Sequence, residues 1–181
     1  MSKKNTGIIA LLIFVAAATR LLPHPPNMTP IGAMSLFGAA YFGKKYLSIL
    51  VPFAALFLSN LVLDNVVYAQ YNDAFVLFRP QTLWVYGSIA AIAFMGMLLL
   101  KKVTFPRVLV GALSASVIFF LVTNFGSWLS DPVYTKDFSG LMQSYAAGIP
   151  FFRNTILGDL LFSGALFGIY QLATRRKMEV A

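Results

Sequence analysis

Charge divides this chain. Between its ionisable residues run long apolar stretches, from Asn5 to Thr19, Thr29 to Gly43, Tyr46 to Leu63, Gln81 to Leu100, Val108 to Ser130, and Asn154 to Thr174, the last interrupted only by Asp159. A membrane-crossing helix needs about 20 mostly apolar residues. The runs therefore place spans at about 5–22, 27–43, 46–64, 81–100, 108–130 and 154–174. The first two are short, and they span if Lys4 and Arg20 snorkel or the bilayer thins locally. Pro23, Pro25 and Pro26 break the chain between them. The expected fold is an all-α integral membrane bundle in a single domain, 1–181, with six helices and both termini in the cytoplasm.

Composition agrees. Only 11% of the 181 residues are charged and 59% are hydrophobic, whereas a soluble domain carries about 25% charged residues. Disorder needs low hydrophobicity and is excluded. The net charge of +8 would fit a nucleic-acid surface, but its distribution argues otherwise. One set of connections and ends holds Lys3, Lys4, Lys44, Lys45, Lys101, Lys102, Arg107, Arg175, Arg176 and Lys177 against Glu179 alone. The other holds Arg20, Arg79, Lys136 and Arg153 against Asp64, Asp73, Asp131, Asp137 and Asp159. The positive-inside rule puts the first set in the cytoplasm, so the charge describes insertion and no nucleic-acid partner is expected. A signal peptide is the rival reading of the first run, with its lysines and the small residues Ala16 to Ala18. A β-barrel does not fit runs this long and apolar on all sides.

Few chemistries remain. There is no cysteine, and His24 is the only histidine, which excludes disulfides, thiolate sites and multi-histidine metal sites. No phosphate loop and no nucleophile elbow is present. Neither a metal nor a cofactor is expected, nor catalysis. The outer connections are the richer ones. They carry Arg20, His24 and Asn27 in the first, the stretch Asp64 to Pro80 in the second, and Asp131 to Arg153 in the third, which reads as a lid. Polar pairs at helical spacing sit at the outer span ends: Asn60 with Asp64, Asn124 with Trp128, and Thr155 with Asp159. Polar groups in a bilayer face the bundle interior, a partner or a watery cavity. Asp159 lies inside the sixth run, with Arg20 and Arg153 as candidate partners. The helix-start macrodipole is its alternative support. Trp84 suits the interfacial aromatic belt. Gly164 and Gly168 make a Gly-x-x-x-Gly pair that lets helices approach closely. The inner half has no ionisable residue, so the bundle reads as a cup closed toward the cytoplasm.

Three stretches carry a resemblance: Arg20 to Ala33 with Leu36 to Phe42, Thr123 to Leu129, and Tyr145 to Phe162. They resemble a family of small, uncharacterised bacterial membrane proteins described as transport proteins. That family is similar to the substrate-binding S components of energy-coupling factor (ECF) vitamin transporters. The resemblance implies a six-helix protein of the bacterial cytoplasmic membrane that takes a vitamin-like small molecule, cobalamin-type among the options, from outside. It implies partnership with a transmembrane coupling protein and two ATPases, although some relatives of that type are solitary. The Ala-x-x-x-Ala motif of the coupling surface is absent here, Ala16 to Ala18 being contiguous. For a cobalamin, His24 would be the imidazole candidate. Under this reading Arg20, His24, Asn27, Asn60, Asp64, Asn124, Trp128, Arg153, Asn154 and Asp159 line an outward pocket. Amides orient the ligand, Trp128 stacks on it, and Arg153 or Arg20 pairs with a carboxylate or phosphate. A non-transporting subunit of a larger membrane complex, and a membrane enzyme using Asp159 at the outer face, are the competing readings.

Overall fold

The structure, a computed structural model, describes residues 3–175. Arg176, Lys177 and Glu179, counted above with the basic set, lie outside the described residues. Within them the chain forms six α-helices: α1 (Lys3–Ala18), α2 (Ile31–Tyr41), α3 (Leu47–Val62), α4 (Thr82–Leu99), α5 (Phe105–Ser130) and α6 (Phe138–Arg175). A 3-10 turn, Thr19–Leu21, extends α1, and a π-helical turn, Leu63–Val67, extends α3. Four of the helical stretches, Leu47–Val67, Thr82–Leu99, Phe105–Ser130 and Phe138–Thr174, are long and apolar enough to cross a membrane. The chain is a helical protein of membrane type.

α2 departs from the expected second span. It has 11 residues, about 16 Å at 1.5 Å per residue, roughly half of a 30 Å hydrocarbon core. Its late start has a local cause. Asn27 sits at φ 62°, a left-handed conformation that Asn tolerates better than most residues, and Pro30 follows immediately before the helix. What α2 lacks in length it makes up in burial. Every residue from Ile31 to Gly38 is buried, and α2 packs on α1, α3, α4, α5 and α6. A helix apolar on all sides belongs in a core. The neighbours carry glycine where they come close: Leu36 and Ala39 meet Gly96 of α4, and Leu36 meets Gly111 of α5. At its far end Phe37 meets Phe167 and Tyr170 of α6 edge-to-face and Tyr41 meets them tilted, at ring separations of 4.3–5.5 Å.

α6 departs in the opposite sense. It begins at Phe138, not Asn154, and runs 38 residues. Most of the expected third outer loop is therefore helix, and Gln143, Tyr145, Phe151 and Phe152 stand on it rather than in a lid. Arg153 and Lys136 had broken the apolar run, but charge does not end a helix. Pro150 inside it removes only one backbone donor. The start is set by Asp137, whose Oδ1 accepts from the Gly140 amide at 2.8 Å and from the Thr135 hydroxyl at 2.9 Å, an N-cap arrangement. The turn between α5 and α6 is equally tied. Lys136 Nζ donates to the carbonyls of Trp128 at 2.5 Å and Asp131 at 2.7 Å, at the α5 C-terminus, where a cation opposes the negative end of the helix dipole.

Cross-helix contacts fix relative directions. Asp159 lies at Gly32 and Phe167 at Phe37, so α6 runs parallel to α2. Phe57 with Phe78 and Phe53 with Tyr86 run α3 against α4; Trp84 with Gly126 and Leu99 with Gly111 make α4 and α5 antiparallel, and Asn124 with Gly148 and Ser116 with Asp159 do the same for α5 and α6. The turns at 42–46 and 100–104, with Lys44, Lys45, Lys101 and Lys102, thus share one end of the bundle. Segments 22–30, 68–81 and 131–137 share the other.

Candidate functional site

A cavity of about 390 Å³ opens at the end away from the lysine-bearing turns. α5 supplies Phe119, Phe120, Thr123, Asn124 and Ser127; α6 supplies Ser144, Ala147, Gly148, Phe151, Phe152 and Thr155; Pro26, Asn27, Val85 and Tyr134 complete the wall. Helical spacing explains the set. Phe120, Thr123, Asn124 and Ser127 recur at three and four residues, as do Ser144, Gly148, Phe152 and Thr155, so each helix shows one face. No Asp, Glu, Lys, Arg or His stands on the wall.

Backbone carbonyls take up much of the polar lining. The Thr123 hydroxyl donates to Phe119 at 2.7 Å, Ser144 to Asn124 at 2.8 Å, Thr155 to Phe151 at 3.2 Å, and Asn124 Nδ2 to Phe120 at 2.8 Å. A hydroxyl that has donated keeps lone pairs to accept with, so these three hydroxyls are left as acceptors, and Asn124 keeps its amide oxygen and a second N–H. Phe120 stacks on Phe152 with ring centroids 4.7 Å apart. Glycine at 148 leaves room for the Asn124 amide, which a Cβ there would displace.

Of the residues expected to line a pocket, Asn27 and Asn124 do so. Asn154 lies at the rim and donates to the Pro26 carbonyl at 2.9 Å, tying the 22–30 segment to α6. Trp128 points its Nε1 at the Thr135 carbonyl, 2.9 Å away, and packs on Phe125. His24 is exposed and bonds the Leu22 carbonyl. Arg153 is exposed. Asn60 is half-buried on α3. Arg20 reaches the Ser59 hydroxyl at 2.5 Å, with its Nε buried and unpartnered. Asp64 pairs with Arg79 at 2.8 Å; Arg79 also reaches Asn72 Oδ1 at 3.1 Å, and Asn72 Nδ2 bonds the Asp64 carbonyl. These groups pin the 68–81 segment to the end of α3.

Asp159 needs a correction: neither Arg20 nor Arg153 is its partner. It is 1% exposed. Its Oδ2 accepts from the Ser116 hydroxyl of α5 at 2.7 Å, and the amides of Gly32 and Ala33 in the first turn of α2 point to it. No side chain of the α2 start caps that helix. Asp159 does so from another helix, satisfying orphan N–H groups and meeting the positive end of a dipole. Gly32 is the fitting residue there, since a Cβ would strike both carboxylate oxygens. Thr155 and Phe119 lie between the cavity floor and Asp159. The shared face of Thr155 and Asp159 is real, but one turn separates a cavity residue from a structural cap.

Sequence reasoning passed over Phe119, Phe120, Thr123, Ser144 and Gly148. Their signal was present in the three- and four-residue spacing of small polar and aromatic residues facing each other on antiparallel α5 and α6.

A family model covers residues 1–181 from end to end. The chain belongs to the DUF6580 family. That family is described as one of unknown function. No curated protein and no solved structure matches the chain. Among the described residues, no cluster of His, Cys, Asp or Glu is arranged to hold a metal ion.

Proposed function

We propose that this DUF6580 protein is a binding and uptake protein of the bacterial cytoplasmic membrane, similar in kind to an ECF S component. It takes a small, uncharged, vitamin-like molecule from outside the cell. In this reading all six helices belong to the membrane domain and both ends of the chain lie in the cytoplasm. The support for that orientation is the gathering of Lys44, Lys45, Lys101, Lys102 and Arg107 at one end. The cavity then opens outward.

The observation that carries the reading is the chemistry of the cavity wall: aromatic faces, hydroxyls and amides, with no charge. Small-molecule sites are mostly apolar with a few placed polar groups. A ligand bearing a carboxylate or phosphate would find no cation on this wall, so Arg20 and Arg153 leave the ligand set. A neutral ring compound with N–H or O–H donors would stack against Phe120 and Phe152 and donate to Thr123, Asn124 and Ser144. With the Ala-x-x-x-Ala motif absent, we take the chain as a solitary version rather than one seated on a coupling protein with ATPases.

Protein purified from its native membrane and extracted for mass spectrometry is expected to yield such a neutral compound. Adding that compound back should raise the unfolding midpoint. Phe152→Ala, which removes one aromatic face, should weaken binding by about two- to tenfold, matching the roughly 0.5–1.5 kcal/mol that aromatic pairs contribute. Gly148→Ala should abolish binding by pushing on Asn124. A protein that carries no small molecule and shows no thermal shift with any vitamin would sink the proposal.

A further inference from the structure

A second concavity lies at the opposite end of the bundle, between the start of α5 and the last third of α6. It measures about 420 Å³ and is walled by Phe105, Val108, Leu109, Leu160 and Phe167. Gly164 and Gly168 form its open side. A Cβ built on either would meet nothing within 4 Å, so this Gly-x-x-x-Gly pair does not serve helix packing inside the chain. Thr104 and Gln171 stand at the mouth. Beside them the exposed Lys101, Lys102 and Arg107 follow one another around the α4–α5 turn. Among the described residues the one salt bridge is Asp64 with Arg79, at the other end of the bundle. Deep in the groove the Ser163 hydroxyl is 2% exposed and has no hydrogen-bond partner, which is uncommon for a buried polar group. Of the buried serines on the helices around it, Ser35 donates to its own backbone and Ser116 to Asp159.

An apolar slot leading from a cationic rim matches one amphiphile. We propose that this groove is a binding site for an anionic phospholipid. Its phosphate rests on Lys101, Lys102 and Arg107, and an acyl chain lies over Gly164 and Gly168. Basic pockets between membrane helices are known seats for anionic headgroups. The site is independent of the cavity at the other end and stands whether or not that cavity takes a ligand.

The test is native mass spectrometry of the full-length protein in mild detergent, with phosphatidylglycerol and phosphatidylcholine of identical chains supplied together. The wild type should retain phosphatidylglycerol in clear excess. Replacing Lys101, Lys102 and Arg107 by Gln together should reduce that retention about tenfold or more, given the attraction of each cation to anionic lipid. Gly164→Leu with Gly168→Leu, which fills the groove from its open side, should reduce retention of the same lipid with the rim charges intact. The charge variant leaves the core untouched, and unchanged phosphatidylglycerol retention in it would overturn the proposal whether or not the glycine variant folds. Equal retention of the two lipids by the wild type would overturn it, with the cations acting as topology anchors only. A preference for phosphatidylglycerol that survives in a folded glycine variant would also overturn it. So would a dimer that dissociates in the glycine variant without any change in lipid, which would give the groove to a second copy.

Discussion

Two carboxylates at helical spacing from polar neighbours have opposite surroundings in this molecule. Asp64 sits at the rim, 17% exposed, and faces an arginine at 2.8 Å. Asp159 sits in the centre, 1% exposed, and faces only neutral donors: a serine hydroxyl and the first amides of α2. Water screens the rim, so a mobile cation suffices there. The centre offers no water, and holding a long cationic side chain inside would add a second desolvation cost. A helix N-terminus supplies positive potential without that cost, because its dipoles are already fixed by folding. The centre therefore solves a backbone problem and an electrostatic one with the same contact. A short buried helix gains its missing cap, and a buried acid gains its donors.

The sharpest way to break this contrast is at the centre. Asp159→Ala strips the cap from α2 and leaves the buried N–H groups of Gly32 and Ala33 unpaired. Losses of this kind run to about 1–3 kcal/mol per buried polar group, so a drop of about 3 kcal/mol or more is expected in unfolding experiments in detergent. Asp159→Asn, which keeps an acceptor oxygen, should cost visibly less. Gly32→Ala drives a Cβ into the carboxylate and should be comparably harmful on its own. Combined with Asp159→Ala, it should be nearly harmless, because the atoms it strikes are gone. A double-mutant cycle in which the two losses simply add would show that Gly32 and Asp159 do not meet as described.

Part of this arrangement was legible in the sequence. The apolar runs mark the long helices, because a bilayer demands length and hydrophobicity together, and α4 and α5 begin and end close to their runs. The 3.6-residue period also put Thr155 and Asp159 on one face. It could not say that Thr155 looks into a cavity while Asp159 looks at α2, because the cap joins residues far apart in the chain. α2 was overestimated because hydropathy continues through Thr29 and Phe42, while backbone geometry at Asn27 and Pro30 does not permit a helix there. α6 was underestimated because Lys136 and Arg153 interrupt the apolar count. The Asp137-x-x-Gly140 cap was the overlooked mark of its start. The cavity wall was only partly legible for a related reason. Charged and amide side chains draw attention in an apolar sequence, yet Arg20 bonds Ser59, Asp64 holds Arg79, and Asn154 ties the 22–30 segment to α6.

At the rim the expected effects shrink. Arg79→Ala removes the partner of Asp64, but the arginine side chain is 46% exposed, and pairs of that kind contribute about 0–1 kcal/mol. The loss should fall further as salt is raised, whereas Asp159→Ala should be insensitive to salt, since buried interactions are screened much less. A rim variant as costly as the central one would remove the distinction drawn here. Asn72→Ala belongs to the same test, because Asn72 bonds both Arg79 and the Asp64 carbonyl.

The smallest effect concerns a third carboxylate, fully solvated at the start of α6. The Gly140 amide and the Thr135 hydroxyl hold Asp137 below the usual carboxylate range. A group whose folded pKa lies below its unfolded value stabilises the fold above the unfolded pKa, about 3.9 for Asp. That contribution is lost as pH falls through the lower, folded value. Asp137 should therefore add a shallow acid-side loss below about pH 4, seen as earlier fraying of the first turn of α6 in hydrogen exchange. Asp137→Asn should remove this pH dependence while keeping the turn closed at neutral pH, because Asn caps helices about as well as Asp. Asp137→Ala should fray the turn at every pH. Fraying in the Ala variant that stops before Gln143 would leave the cavity intact, since its wall on α6 begins at Ser144. Ligand binding would then separate the cap that starts this helix from the cap at Asp159 that fixes the helix beneath the cavity.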